Sequence, residues 1–144
     1  MKPWIPLAAL MVALSPLAFI HPVRVHGRSM EPLLADGALR LSLRSWWIGQ
    51  PERSEVWLLE GPQGPIIKRI IGLPGDRLEQ RDGVLFLNGQ RLSEPYLERY
   101  DFGEVVLEAG SGYLVLGDNR RESEDSRTWG PLPRKALRGR ILGP

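Results

Sequence analysis

Ser29 and Lys68 are where this chain could hold a nucleophile and a base, and the rest of its composition narrows the choice to them. The 144 residues contain no Cys, two His (His21 and His26), and 16 Arg against three Lys, at Lys2, Lys68 and Lys135. Without cysteine there is no disulfide, no thiolate zinc site and no thiol nucleophile. Two histidines argue against a His-rich metal centre, and no metal or organic cofactor is expected. A serine hydroxyl is a poor nucleophile until a base takes its proton. His26 is the nearest base to Ser29, but in an extended segment residues three apart point to opposite faces.

Lys68 is the alternative base. It lies in Ile66-Ile67-Lys68-Arg69-Ile70-Ile71, a strand in which Ile66 and Ile70 share its face. Burial among branched apolar groups disfavours the ammonium form and lowers its pKa from about 10.4. A neutral lysine near pH 7–8 accepts a proton; arginine cannot, because it stays charged. In a chain that otherwise chooses arginine, lysine here is informative. Each residue alone also has a plainer reading. Ser29 reads as a turn or cap serine before a short helix over Met30–Ala35, and Lys68 as a strand lysine reaching solvent.

The elements that must position these residues read as short strands between Gly, Pro and Asp turns. Leu39, Leu41 and Leu43 alternate with Arg40, Ser42 and Arg44, the pattern of a half-buried strand. Glu55–Leu59 and Ile66–Ile71 follow, split by a Gly-Pro-rich segment. Arg77–Arg81 and Val84–Leu87 flank Asp82-Gly83, with Asn88-Gly89 after them; both pairs are hairpin signals. Glu104–Glu108, Tyr113–Leu116 and Ala136–Leu142 complete the set, which predicts a closed or sandwiched antiparallel β domain. Nineteen basic against 17 acidic residues, interspersed, give a net charge of +2 and no nucleic-acid-binding face. Trp46-Trp47-Ile48 reads first as core packing and second as a membrane-interface contact.

Pro3 to Ile20 is uncharged and apolar. As a helix these residues span about 27 Å, close to the hydrocarbon thickness of a bilayer. Pro16 would block cleavage after Ala13-Leu14-Ser15, which favours a retained anchor over a removed signal. The expected division is therefore an anchor over residues 1–22 and a catalytic domain over residues 23–144. The flanking charges do not fix the orientation.

Three segments together, Val25–Pro32, Ile66–Asp76 and Gly117–Arg127, resemble the type I signal peptidases, membrane-anchored Ser–Lys serine proteases. The resemblance implies a mainly β fold: a compact antiparallel, barrel-like catalytic domain behind one N-terminal transmembrane helix. It implies Ser29 as nucleophile and Lys68 as general base. Ser123 would hydrogen-bond and orient Lys68, and Asp125 and Arg127 would form an ion pair supporting the loop. The Ser29 backbone N–H would be the first oxyanion donor, while Gly27 lacks the hydroxyl that some members use as a second. Val25 and Ile67 would shape pockets for small substrate residues. The implied substrates are exported preproteins with signal peptides, and the implied partners the lipid bilayer and the secretion translocon. The catalytic domain would lie outside the cytoplasm, tethered by a single pass through the plasma membrane. Two rival readings are a specialised peptidase of the same kind, processing a pilin or conjugation precursor, and a noncatalytic, membrane-tethered peptide-binding β module.

Overall fold

The computed structural model describes residues 19–95, 97 and 101–143. Almost all regular structure is antiparallel strand. Six strands form one sheet: β1 (Ile20–Arg24), β2 (Leu39–Arg44), β3 (Val56–Gly61), β4 (Gly64–Gly72), β9 (Leu114–Leu116) and β10 (Leu137–Ile141). Their order is β1-β2-β10-β3-β4-β9. Four more, β5 (Arg77–Arg81), β6 (Val84–Leu87), β7 (Gln90–Arg91) and β8 (Val105–Glu108), form a second sheet in the order β7-β6-β5-β8. The pairing does not close into a single barrel: among the described residues β1 and β9 stand at the two ends of the larger sheet.

Turn chemistry set the hairpins as expected. Asp82 and Gly83 both have positive φ (51° and 69°), as do Asn88 and Gly89 (51° and 79°). These are the conformations that let a two-residue turn follow the strand twist. The segment between β3 and β4 is tighter than its Gly and Pro content suggested, because Gly61 pairs with Gly64 and only Pro62-Gln63 is left as turn. One helical turn, α1 (Ser126–Trp129), starts at Asp125, whose carboxylate caps it by accepting from Arg127 N–H.

Three apolar clusters fill the interior. Trp57, Leu59, Ile70, Tyr113, Val115 and Leu132 lie at the heart of the first. Val25, Met30, Leu34, Val56, Ile67 and Ile141 form the second. Ile71, Leu78, Leu85, Leu114 and Leu116 join the two sheets in the third. Because side chains alternate along a strand, β4 contributes to all three and is the central positioning element.

Three expectations are corrected. The alternation in β2 is real but its faces are reversed: Leu39 and Leu41 are 62% and 49% exposed, whereas Ser42 is fully buried. The cause is β10, which pairs Ile141 with Ser42 and brings Gly139 so near that a Cβ there would sit 2.4 Å from Ser42 Oγ. Only a small residue fits on that side. The tryptophans are not core either. Trp46 and Trp47 are 65% and 60% exposed and stack with Phe19, at ring-centroid distances of 5.3 and 4.3 Å. Finally, the boundary placed at residue 22 moves back, since Ile20–Arg24 already pair with β2 as strand β1. Of the expected anchor over residues 1–22, residues 1–18 lie outside the described residues. Among those described, no helix is long and apolar enough to cross a membrane.

Candidate active site

Ser29 sits on the loop of a long hairpin. Beyond β1 and β2 the ladder continues with Val25 N–H to Ala38 O and Gly37 N–H to Val25 O, so residues 26–37 are held at their base. Inside that loop Met30 and Leu34 are buried in the second cluster and fix it to the core. Gly27 enters the loop with φ +81°, a left-handed conformation that favours glycine. The expected short helix over Met30–Ala35 is a turn with a single Leu34 N–H to Met30 O bond. Among the described residues the Ser29 N–H has no acceptor, and Gly27 N–H is taken by Asp36 Oδ1 at 2.9 Å. The first is therefore free to donate to an oxyanion and the second is not.

Lys68 comes from the middle of β4. Its register partner is Trp57, while Ile66 pairs with Leu59 and Ile70 with Val115. Lys68 thus shares the face of the first apolar cluster and is only 4% exposed. Burial lowers its pKa to about 8; Asp125 acts against that shift and Arg127 with it. Burial wins because the carboxylate is already shared with a guanidinium.

The loop after β9 supplies the partner. Lys68 Nζ donates to Ser123 Oγ at 3.0 Å, and Ser123 Oγ donates to Asp125 Oδ2 at 2.7 Å. Burial pushes the Asp125 carboxyl up, but hydrogen bonds from Arg127, Gly117 N–H and Ser123 outweigh it and hold the pKa below the usual range. An ionised carboxylate only accepts, so Ser123 must spend its proton there. Ser123 is then an acceptor toward Lys68. This reverses the direction in which a supporting hydroxyl would donate to the amine, and it leaves the lone pair of a neutral Lys68 unoccupied. Arg127 clamps Asp125 at 2.7 and 2.8 Å and also donates to the carbonyls of Arg120 and Ser123.

Ser29 and Lys68 line one cavity of about 150 Å³, together with Val23, Arg24, His26, Leu58, Pro65, Ile66 and Ile67. Among the described residues no hydrogen bond joins Ser29 Oγ to Lys68 Nζ or to His26; the amine's bond goes to Ser123. Ile67 lines the cavity at 9% exposure, whereas Val25 is 2% exposed and lies in the cluster behind it. Val23, on β1, stands at the cavity wall.

Two strand edges flank this cavity. Arg44 N–H donates to Phe19 O and Val25 N–H to Ala38 O, so by alternation Pro22 and Arg24 occupy non-hydrogen-bonded positions of the β1–β2 ladder. Their backbone groups face the open side. On β4, Ile70 N–H donates to Glu55 O, which by the same alternation turns Pro65 and Ile67 outward. There β9 covers only Arg69–Gly72. Pro22 and Pro65 fall where a strand proline costs no ladder bond. Among the described residues, Arg24 and Ile67 each leave an N–H and a C=O for another strand.

Three residues to which the sequence assigns no chemistry, Gly117, Asp118 and Asn119, prove to build the site. Asn119 N–H donates to Ser29 O at 2.9 Å and its side-chain amide to Arg28 O at 3.1 Å, which pins the serine loop to the Ser123 loop. Gly117 lies between them: a Cβ there would be 2.6 Å from Ser29 O and 2.2 Å from Ser123 Oγ. Asp118 receives both Arg69 Nε and Nη2, at 2.8 and 2.6 Å, on the far face of β4. No spacing rule marks such residues, because their partners are distant in sequence.

The class into which the chain falls is that of the serine peptidases. Residues 1–143 match the family described as signal peptidase, peptidase S26, and the chain belongs to that family. It is 35% identical to the signal peptidase I of Bacillus licheniformis over 91% of this chain and 80% of that protein. It is 34% identical to signal peptidase I T of Bacillus subtilis over 84% of this chain and 70% of the relative. Among solved structures, a signal peptidase I from Enterococcus faecalis V583 matches with a TM-score of 0.57 at 35% identity, covering 67% of this chain and 99% of that one.

Proposed function

We propose that this chain is a membrane-bound serine endopeptidase that removes N-terminal signal peptides from exported preproteins, with Ser29 as nucleophile and Lys68 as general base. The observation that carries the reading is the buried Lys68 amine, with a pKa of about 8, in the same cavity as Ser29. The names of its relatives support the substrate class.

The preprotein lies extended between the free edges of β1 and β4, taking backbone bonds from Arg24 and Ile67. The cavity of about 150 Å³, walled by Val23, Leu58, Ile66 and Ile67, suits short side chains beside the cut. Neutral Lys68 takes the Ser29 hydroxyl proton as Oγ attacks the scissile carbonyl carbon. The Ser29 N–H donates to the oxygen that becomes negative. Lys68, now an ammonium, gives its proton to the leaving amine as the C–N bond breaks. It then takes a proton from water, which attacks the acyl-enzyme, and returns that proton to Ser29. Ser123, Asp125 and Arg127 position Lys68 throughout.

The membrane side of the reading is supported by exposed Trp46 and Trp47 against half-buried Phe19, a residue that directly follows the apolar stretch in sequence. Aromatic rings favour the headgroup level. A single-pass anchor with the catalytic domain outside the cytoplasm puts the cavity where preproteins emerge. The test is cleavage of a model preprotein by the wild type and by Ser29→Ala, with the product mass locating the cut. The serine variant should lose about 10⁴-fold or more; a variant that still cuts at the same bond would overturn the assignment.

A further inference from the structure

Among the described residues that line the cavity holding Ser29 and Lys68, Arg24 is the permanently charged one, and no carboxylate lines it. Arg24 itself has no ion pair or hydrogen bond among the described residues. Nine other described arginines are ion-paired, and Arg24 is not. Its position on β1 is fixed: it pairs with Leu39 of β2, and its backbone faces the open edge on which an extended peptide would lie. An exposed guanidinium with no counter-charge, beside a reacting serine, is placed to read a carboxylate on whatever enters.

We infer that the cleft selects preproteins with an Asp or Glu close to the cut, and that Arg24 is the residue that recognises it. The inference rests on the peptidase reading above. With short side chains filling the cavity beside the cut, as proposed above, the acidic residue belongs at a neighbouring position, −2, +1 or +2. Arg24 also shares a face with exposed Leu39, which would suit contact with an anionic lipid. Its place in the lining of the catalytic cavity favours the peptide. An exposed Arg–carboxylate pair of ordinary strength corresponds to a preference of about two- to fivefold.

The experiment uses the full chain in neutral detergent and matched peptides that differ only by Ala, Asp or Lys at −2, +1 or +2. The wild type should cleave the Asp peptide about two- to fivefold better than the Ala peptide, by kcat/KM, at one of these positions. In Arg24→Gln that ratio should fall to about one, and in Arg24→Glu the Lys peptide should become the better substrate. Equal ratios in the wild type and Arg24→Gln would overturn the inference. So would a variant whose only change is a smaller rate gain on phosphatidylglycerol than on phosphatidylcholine vesicles, which would assign Arg24 to lipid. Cleavage of the Ala peptide by the wild type, absent in Ser29→Ala, keeps the peptidase reading standing whichever ratio is found. Failure to cleave any peptide would overturn both.

Discussion

Asp125 accepts the hydroxyl hydrogen bond of Ser123 across 2.7 Å, and that one bond sets the polarity of the chain of contacts leading to Lys68. With its proton committed, Ser123 holds the amine by accepting from it, at 3.0 Å. Once Lys68 is neutral its lone pair is unoccupied, as the proposed role of base toward Ser29 requires. A base positioned through one of its own N–H groups is not blocked by the residue that positions it.

Activity should follow the titration of Lys68. Burial puts its pKa at about 8, so kcat/KM should rise about tenfold per pH unit below that value and level off above it. Lys68→Arg, which keeps the charge and cannot act as a base, should be inactive across the range. A flat profile between pH 6 and 9 would overturn lysine as the base.

Replacing Lys68 by Met should remove activity and stabilise the fold. The folded-state pKa lies below the unfolded value, so the folded state binds fewer protons between about 8 and 10.5. Stability of the wild type therefore rises with pH across that window, and the full cost of burying the ammonium is present below it. At pH 7 the methionine variant should gain roughly 1–3 kcal/mol, a gain that shrinks toward pH 10.5. Urea unfolding at several pH values measures it.

Asp125→Asn keeps the shape of the side chain and removes its charge. Since Asp125 raises the Lys68 pKa, the apparent pKa of the rate profile should move downward. The plateau should also fall, by about 10–100-fold, because Ser123 is released to turn its proton toward the amine and Arg127 loses its ionic partner. A pH–rate profile separates the two effects, and an unmoved apparent pKa would count against this coupling.

Gly117→Ala should be among the most damaging small substitutions. The added Cβ would stand 2.6 Å from Ser29 O and 2.6 Å from Ser123 Cβ, so both loops must retreat. We expect a loss of about 10²-fold in kcat from displaced reacting groups. The thermal midpoint should fall too, in keeping with about 1–3 kcal/mol of overpacking.

Exchanging Trp46 and Trp47 together for serine should leave hydrolysis of a soluble peptide unchanged while weakening sedimentation with lipid vesicles. Both rings are exposed and neither lines the catalytic cavity. Equal vesicle binding by the variant would assign the cluster a different role.

The sequence by itself determined the residue chemistry and the local turns. Absence of cysteine and scarcity of histidine left Lys68 as the candidate base for Ser29, and its strand of branched residues already implied burial. Asp82-Gly83 and Asn88-Gly89 fixed their hairpins because a positive φ is a local property. Tertiary structure decided everything that depends on which faces meet. Alternation along β2 was legible, but only the approach of Gly139 decided that Ser42 goes inward while Leu39 and Leu41 stay out. The tryptophans could fill a core or face outward, and composition does not distinguish the two. The roles of Gly117 and Asn119 were hidden for the same reason: their contacts cross 88 and 90 residues of chain to reach Ser29. So was the direction of the Ser123 proton, which a sequence cannot fix and a neighbouring buried carboxylate does.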